Sequence, residues 1–571
     1  MESVRDCPTE YVTRPSHRNG MTRMTPRWRG LGATGAMVLS LSSSWMRVPA
    51  QRPAPAAPPR ASPHAGHAGH AGHADPTSAI AAVIRALATT HVDAHDAPLV
   101  ATITRVYADR QYQPAWTDAD GYTPGGESVR RAMREADHEG LDTAAYRVPA
   151  IGSDDADAQA RADVRLSFVA LRFAQDLGWG VTLPDDVHRD HAYPRRHFDG
   201  DSLLRAWVQA SDAGRDAGRA LLDVTPASMG YRRLRDASRQ LRALWPQGSW
   251  ESLSDGPPLR PGTSGPRVGQ LRRLLRERGD LAGAPAATSG DPGFDTSLAA
   301  AVARFQERHG LVADSVVGRA TAAALNVPAA ARLAQLHLGM ERARWLPPVT
   351  RGRSITVNLA DYHAFVSDDG VTVFRTRVII GTTIHKTPMF VDTLTNIVFN
   401  PAWNVPPSIA AKEILPQLRH DPAYLTRNHM VRTPGGIQQL PGPWNALGQI
   451  AFMFPNRFSV YMHDTPAREL FEAPDRAHSH GCIRVQRPRE LAALLLADEG
   501  WSPARLDSAI AAGNRSVAWL RRPVPVHITY VTAFVDDDGV LQFRRDVYGR
   551  DALLQRVMRQ AERRPLPAAL Q

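Results

Sequence analysis

The sequence predicts a multidomain α and β protein, with its helical part first and its mainly β part last. The chain has 571 residues, which is too long for one hydrophobic core. Apolar residues recur with helical spacing over about 80–244 and again over 266–326, whereas from Arg353 onward they alternate with polar residues. We therefore predict a helical scaffold domain over 77–248, a small three-helix module over 266–326 and a mainly β domain over 353–555.

The first 50 residues have the pattern of a targeting segment. Arg23, Arg27 and Arg29 precede an uncharged stretch over 30–46, and the small residues of 48–50 offer a cleavage site. A cleaved signal peptide fits this pattern. An uncleaved membrane anchor fits as well, because the stretch is close to the shortest that spans a bilayer. Either way, the sequence predicts export.

Residues 51–76 are rich in Pro, Ala and His and predict a disordered linker. Within it, His64, His67, His70 and His73 recur every three residues. Such a tract either binds a transition metal loosely or serves as a tether that happens to carry His. We assign it no role in catalysis.

The formal net charge is +11, and the positive charge is almost all Arg. A basic chain can bind nucleic acid, but no zinc-finger spacing, basic-helix heptad or RNA-recognition signature is present. The better interpretation is a basic surface that favours an anionic polymer. We predict no nucleic-acid partner.

The helical elements follow from their apolar stripes, and a Ser/Gly/Pro-rich linker over 249–265 separates the two helical parts. The first stripe of the scaffold is Ile80, Val83, Ile84 and Leu87. The module has two such stripes, one containing Val268, Leu271, Leu274 and Leu275 and the other Phe294, Leu298, Val302 and Phe305. Strand-like runs follow at 355–357, 363–366, 371–374, 377–380, 397–400, 450–453, 460–463 and 523–535.

Further helices are predicted over Pro488–Leu496 and Ser502–Ala512, the second with Ser502 as its N-cap and Pro503 at the first helical position. Residues 408–446 interrupt the strands with a helix, Ser408–Leu418, and a Gly/Pro-rich excursion. A long insertion of this kind is a candidate lid, or capping subdomain, over a site.

The two cysteines are Cys7 and Cys482, and export would leave Cys482 without an internal disulfide partner. A single thiol in an oxidising compartment is either buried and inert or used chemically. Its neighbours favour use, because a thiol attacks as the thiolate and needs a base or a positive field. His478, His480 and Arg484 lie close by in the sequence.

A strand that ends at His463 could bring an imidazole to the sulfur of Cys482. Gly481 permits a close backbone approach and lets nearby amides face an oxyanion, and Arg484 suits a substrate carboxylate or a solvated surface position. Asp464 neighbours His463 on a strand and so points to the opposite face. A metal site of His463, His480 and Cys482 is the competing interpretation.

Two stretches resemble known families. Phe305–Leu311, followed by Asp314 and Gly318, is similar to the peptidoglycan-binding domain type 1. Ser479–Arg484, with His463 nineteen residues before Cys482, resembles the active-site signature of L,D-transpeptidases with a YkuD-type catalytic domain. Further stretches resemble the large Gram-negative subgroup with an N-terminal scaffold domain and a capping insertion: 105–116, 381–389, 400–407, 410–416, 530–536 and 548–551.

The resemblance implies roles for the site residues. Cys482 would be the nucleophile and His463 the general base, while Gly481 and the Cys482 amide would contribute to the oxyanion site. Arg484, Tyr461 and Trp403 would contact substrate or line the pocket, beside His480, which is mostly structural in the family. The resemblance implies no cofactor and no metal.

The implied function is a periplasmic L,D-transpeptidase that forms peptidoglycan cross-links through a cysteine thioester. Its partners would be a tetrapeptide donor, an amine acceptor and other wall-synthesis enzymes, with an inner-membrane anchor if the N-terminal segment is not cleaved. An L,D-carboxypeptidase or amidase acting on the same peptides, and a non-catalytic peptidoglycan-binding scaffold, are the alternatives.

Overall fold

A computed structural model describes residues 75–151, 155–244, 250–281, 293–347 and 351–571. The predicted targeting segment, the His-containing linker and Cys7 therefore lie outside the described residues. Within the described part of the chain, no helix is both long enough and apolar enough to cross a membrane.

Residues 75–244 form a mainly helical region. Its helices are α1 (Pro76–Thr89), α2 (Ala97–Asp109), α3 (Pro124–Arg134), α4 (Ala156–Trp179), α5 (Pro184–Val187), α6 (Gly200–Asp212), α7 (Ala217–Leu222) and α8 (Met229–Leu244). Short strands lie between them: β1 (Thr117–Asp118), β2 (Gly121–Tyr122) and β3 (His191–Ala192). Capping side chains fix several helix starts, as where Thr123 accepts a bond from the Gly126 amide at 3.1 Å.

The next helices are α9 (Pro266–Glu277), α10 (Thr296–Arg308), α11 (Arg319–Leu325) and α12 (Ala329–Trp345). The first three match the predicted module, and its apolar stripes form a separate small core. The predicted linker over 249–265 is partly wrong, because Leu253 and Leu259 are buried in that core and Leu259 forms a β-bridge with Val317.

From residue 351 the chain is mainly β. Its strands are β4 (Arg353–Asn358), β5 (His363–Asp368), β6 (Val371–Gly381), β7 (Met389–Phe399), β8 (Trp403–Asn404), β9 (Met430–Thr433), β10 (Gly436–Gln439), β11 (Ile450–Met453), β12 (Met462–His463), β13 (Ala477–Ser479), β14 (Ile483–Val485), β15 (Ser516–Thr529), β16 (Ala533–Val535) and β17 (Leu541–Phe543). Its helices are α13 (Pro407–Ile409), α14 (Leu415–His420), α15 (Tyr424–Arg427), α16 (Pro488–Leu496), α17 (Pro503–Ala511) and α18 (Arg550–Glu562).

The main sheet closes on itself. The pairings run β7–β15–β4–β5–β6–β14–β12–β11 and return from β11 to β7. β12 lies parallel to β14, in the register Met462–Ile483 and His463–Arg484. This register places the ends of β12 and β14 side by side.

A strand from the helical region completes this sheet. Along β7, the end of the strand at 396–399 pairs with β11. The start of β7 pairs in parallel with β3, Met389 with His191 and Phe390 with Ala192. The apolar core is continuous across this junction, from Ala79 of α1 to Leu570 near the C-terminus. The helical and mainly β regions, predicted as separate domains, thus share one core.

The insertion between β7 and β11 has its own small fold. Its three strands pair in the order β8–β10–β9, and Val405, Ile414, Met430 and Ile437 form its apolar core. The helix predicted over Ser408–Leu418 is present as a continuous helical run over 407–420, made of α13, a π-helical segment Ala410–Ile414 and α14. Pro416 follows the π-helical segment, and because proline has no N–H it cannot donate an α-helical hydrogen bond at that position.

Candidate active site

Cys482 lies in the tight turn between β13 and β14, and its side chain is half-buried. The turn depends on glycine, because Gly481 has φ +120°. Gly381 of β6 packs against it so closely that a Cβ there would lie 3.1 Å from the Gly481 Cα and 1.9 Å from the His385 carbonyl oxygen. Side chains at either position would displace the turn.

Two hydroxyl groups hold this turn. The Ser479 Oγ accepts a hydrogen bond from the Gly481 amide at 3.1 Å and donates to the Cys482 carbonyl at 2.6 Å. The buried Thr387 Oγ1 donates to the Gly481 carbonyl at 2.8 Å. The Gly481 amide therefore faces Ser479 rather than an oxyanion, and the sequence patterns predicted no role for either hydroxyl.

His463 is buried on β12, beside the strand that follows Cys482. Alternate residues of paired strands share a face, so Tyr461 and His463 face the same side of the sheet as Cys482 and Arg484. The His463 Nδ1 lies 2.5 Å from the Asp464 carbonyl oxygen. A carbonyl can only accept, so Nδ1 carries the hydrogen and Nε2 keeps its lone pair.

Burial lowers the pKa of His463 to about 4, and the Arg484 cation contributes to the shift, against the raising effect of the Asp464 and Leu447 backbone. At neutral pH the imidazole is therefore uncharged and able to accept a proton. The Asp464 carboxylate does not contact it. That carboxylate accepts from the Gln449 amide at 2.9 Å and from the Arg468 guanidinium.

Arg484 lies in register with His463 and is half-buried. Burial lowers its pKa, while Cys482 and Glu469 act in the opposite direction. Its Nε is buried without a hydrogen-bond partner among the described residues. A buried donor in that state suits an acceptor brought by a ligand.

The other predicted site residues surround the Cys482 turn and His463. The Tyr461 ring is 5.7 Å from the His463 ring, whereas Trp403 packs on the core of the insertion. His480 is exposed, and its Nε2 lies 2.7 Å from Glu413 Oε1 of the insertion. His478 is exposed and donates from Nε2 to the Asp475 carbonyl at 2.8 Å.

The competing metal-site hypothesis finds no geometric support. In the residues that the structure covers, no three His, Cys, Asp or Glu side chains are arranged to hold a metal ion. What the site does contain is a half-buried thiol, a neutral imidazole and a guanidinium on one face of a sheet. A thiol paired with a neutral imidazole is the combination that cysteine-dependent acyl transfer requires.

Family models match three parts of the chain. Residues 352–526 match the L,D-transpeptidase catalytic domain (YkuD), residues 101–237 a scaffold domain, and residues 264–325 a putative peptidoglycan binding domain. The chain thus combines a region that matches the YkuD-type L,D-transpeptidase catalytic domain with these two other domains.

A putative L,D-transpeptidase of Haemophilus influenzae is 32% identical over 238 residues, which cover 38% of this chain and 48% of the relative. The chain thus spans about half the length of the curated relative that it matches. Among solved structures, an L,D-transpeptidase from Xylanimonas cellulosilytica is 17% identical, with a TM-score of 0.16, over 48% of this chain and 98% of the other. One from Stackebrandtia nassauensis is 14% identical, with a TM-score of 0.20, over 49% and 97%.

Proposed function

We propose that this protein is a peptidoglycan L,D-transpeptidase that forms cross-links through a thioester on Cys482. The observation that carries the proposal is the juxtaposition of the Cys482 turn with a neutral His463 whose Nε2 keeps its lone pair. Such an imidazole can remove the thiol proton at neutral pH.

The proposed reaction has two steps. His463 takes the Cys482 proton, and the thiolate forms an S–C bond with the carbonyl that precedes the terminal D-Ala of a tetrapeptide donor. The C–N bond breaks, and the imidazolium protonates the departing D-Ala amine. The amine of an acceptor stem then attacks the thioester, the S–C bond breaks, and His463 returns the acceptor's proton to sulfur.

Three further assignments follow from this chemistry. Arg484 would bind a substrate carboxylate, because its Nε lacks a partner among the described residues. We assign the oxyanion contact to the Cys482 amide, since the Gly481 amide is engaged by Ser479. Tyr461 would line the pocket.

We also propose that the enzyme works in the periplasm on peptidoglycan stem peptides. A family that acts on the cell wall suggests an extracytoplasmic location, and the domain over 264–325 would hold the enzyme on its polymer. The excess of Arg over acidic residues suits that anionic surface.

The test is incubation with disaccharide tetrapeptides, followed by mass spectrometry for 3→3 dimers. We expect Cys482→Ala and His463→Ala to abolish dimer formation, and the exposed His478→Ala to leave it unchanged. Dimers that persist with Cys482→Ala would refute the assignment. Free D-Ala and tripeptide in place of dimers, with an acceptor present, would instead establish a carboxypeptidase.

A further inference from the structure

The scaffold domain reaches the neighbourhood of the nucleophile through one short segment. Residues 189–192 lie within the scaffold match, and β3 extends the catalytic sheet along β7. The Met389 amide donates to the Asp190 carbonyl at 2.9 Å. Asp190 therefore lies against the chain only two residues beyond Thr387, which holds the nucleophile turn.

The Asp190 side chain contacts a buried cation. Arg550, whose side chain is 4% exposed, donates from Nη2 to Asp190 Oδ2 at 2.5 Å. The same nitrogen donates to the Thr387 carbonyl at 2.9 Å. Burial alone would raise the pKa of Asp190. The nearby Arg550, His191 and His188 outweigh burial and lower that pKa below its ordinary value, so the carboxylate stays ionised.

Thr387 links Arg550 to the turn that contains Cys482. It is fully buried, and its Oγ1 accepts from the Gly381 amide at 2.9 Å while it donates to the Gly481 carbonyl at 2.8 Å. Tyr548 supports the same point, since its hydroxyl donates to the Gly381 carbonyl at 2.5 Å. A continuous series of hydrogen bonds thus runs from Asp190 to the residue before Cys482.

We propose that Asp190 of the scaffold domain is a positioning residue for Cys482, acting through Arg550 and Thr387. Without the carboxylate, the buried Arg550 loses its counter-charge and turns toward water. Thr387 then shifts, and the Gly481 carbonyl moves with it. The Cys482 sulfur therefore leaves the position from which His463 can take its proton. The scaffold domain would in this way set the rate of acylation without touching substrate.

This inference rests on Cys482 being the nucleophile. The experiment is therefore chosen so that failure of the proposed function and failure of the positioning role give different results. The full chain in a Cys7→Ser background is treated with a carbapenem, and acylation is followed by intact mass at several concentrations. Absence of acylation in the parent protein would refute the proposed function. Comparison of variants that all start from an acylating parent tests the positioning role.

We expect Asp190→Asn to lower the saturating acylation rate about tenfold to hundredfold, because misplacement of a reacting group by about 1 Å has effects of this size. The carbapenem concentration that gives half the maximal rate should be unchanged. Asp190→Glu should recover part of the rate, since it keeps the charge. The matched control is Asp185→Asn, because Asp185 is exposed and lies 3.8 Å from the exposed Arg195; this variant should acylate like the parent.

A second pair of variants separates positioning from loss of stability. Thr387→Val keeps the shape and removes the hydroxyl, whereas Thr387→Ser keeps the hydroxyl. We expect the first to be slow and the second close to the parent. In the Thr387→Val background, Asp190→Asn should add less than about twofold, because residues acting through one contact are not additive. Full additivity, or a parent-like rate for folded Asp190→Asn, would overturn the proposal.

Discussion

The turn that bears Cys482 and the insertion between β7 and β11 are built in opposite ways. Buried hydroxyl groups of Ser479 and Thr387 hold the turn from both sides. The insertion has a core of four buried apolar residues, and one of its contacts to the turn is the exposed pair His480–Glu413. Buried hydrogen bonds fix a geometry, whereas small cores and surface pairs open at little cost.

This difference indicates which part of the protein is rigid and which part can move. We expect the nucleophile to keep its place while the insertion changes position or opens. A lid that excludes water from a thioester needs that freedom, because substrate must enter before the site closes. Four experiments test the contrast, from the largest effect to the smallest.

The first removes the hydroxyl that holds the turn. Ser479→Ala loses the bonds to the Gly481 amide and the Cys482 carbonyl, and we expect a fall in carbapenem acylation of about a hundredfold from misplacement of the thiol. Ser508→Ala, which removes an exposed helix hydroxyl, serves as the control. A parent-like rate for Ser479→Ala would show that the turn holds its shape without the hydroxyl.

The second weakens the insertion alone. Ile437→Ala removes one of its four core residues and should destabilise it by about 2–4 kcal/mol. In hydrogen exchange, amides of β9 and β10 should then exchange faster while those of β15 keep their protection. The comparison variant is Ile355→Ala in the fully buried part of β4, which should lower protection throughout the sheet. Equal loss in β15 for Ile437→Ala would mean that the insertion is not an independent unit.

The third concerns pH. The pKa of His463 is about 4 because the ring is buried, so the imidazole stays neutral as pH falls through 6.5. The acylation rate should show no limb with a pKa near 6.5. Stability should decrease as pH falls from 6.5 toward 4, since the unfolded chain binds the proton that the folded ring excludes. A profile of the acylation rate between pH 5 and 8 checks the first expectation, and the free energy of unfolding over pH 4–7 checks the second. A fall in rate with an apparent pKa near 6.5 would mean that the His463 ring is exposed to water.

The fourth breaks the exposed pair. Glu413→Gln should change the acylation rate less than about fivefold, because exposed ion pairs contribute about 0.2–1 kcal/mol. His480→Gln should behave alike, and the double variant should equal either single one. A loss of more than tenfold would make this pair a determinant of the closed site.

Local sequence patterns predicted the local structure well. Ile450–Met453 and Pro488–Leu496 are a strand and a helix with the predicted bounds, and the Ser502 side chain caps α17 by accepting from the Arg505 amide at 3.2 Å. Strand alternation and helix capping depend on residues that are close together in the chain, so both can be read from the sequence. β3 has two residues and pairs with a strand about 200 positions later, and no periodicity in so short a segment predicts it.

The sequence predicted those candidate site residues that belong to a recognisable motif. It did not predict the contacts that form only when the chain packs. The resemblance supplied Cys482, His463 and Arg484, whose catalytic roles stay predictions. The stretches that carry the resemblance include Ser479 and Thr387, but the sequence assigned no role to either hydroxyl, because only the folded chain makes each the partner of a backbone carbonyl. For the same reason, sequence alone did not show that the Gly481 amide is engaged.

The strand from the scaffold also decides what can be cut away. A fragment that starts at residue 351 would leave Met389 and Phe390 as an unpaired sheet edge, with an apolar face that β3 and its helices now cover. Bare edges of this kind recruit strands from other molecules and lead to aggregation. We therefore expect the stretch over 352–526, which matches the catalytic family model, to need the scaffold strand in order to fold without aggregating.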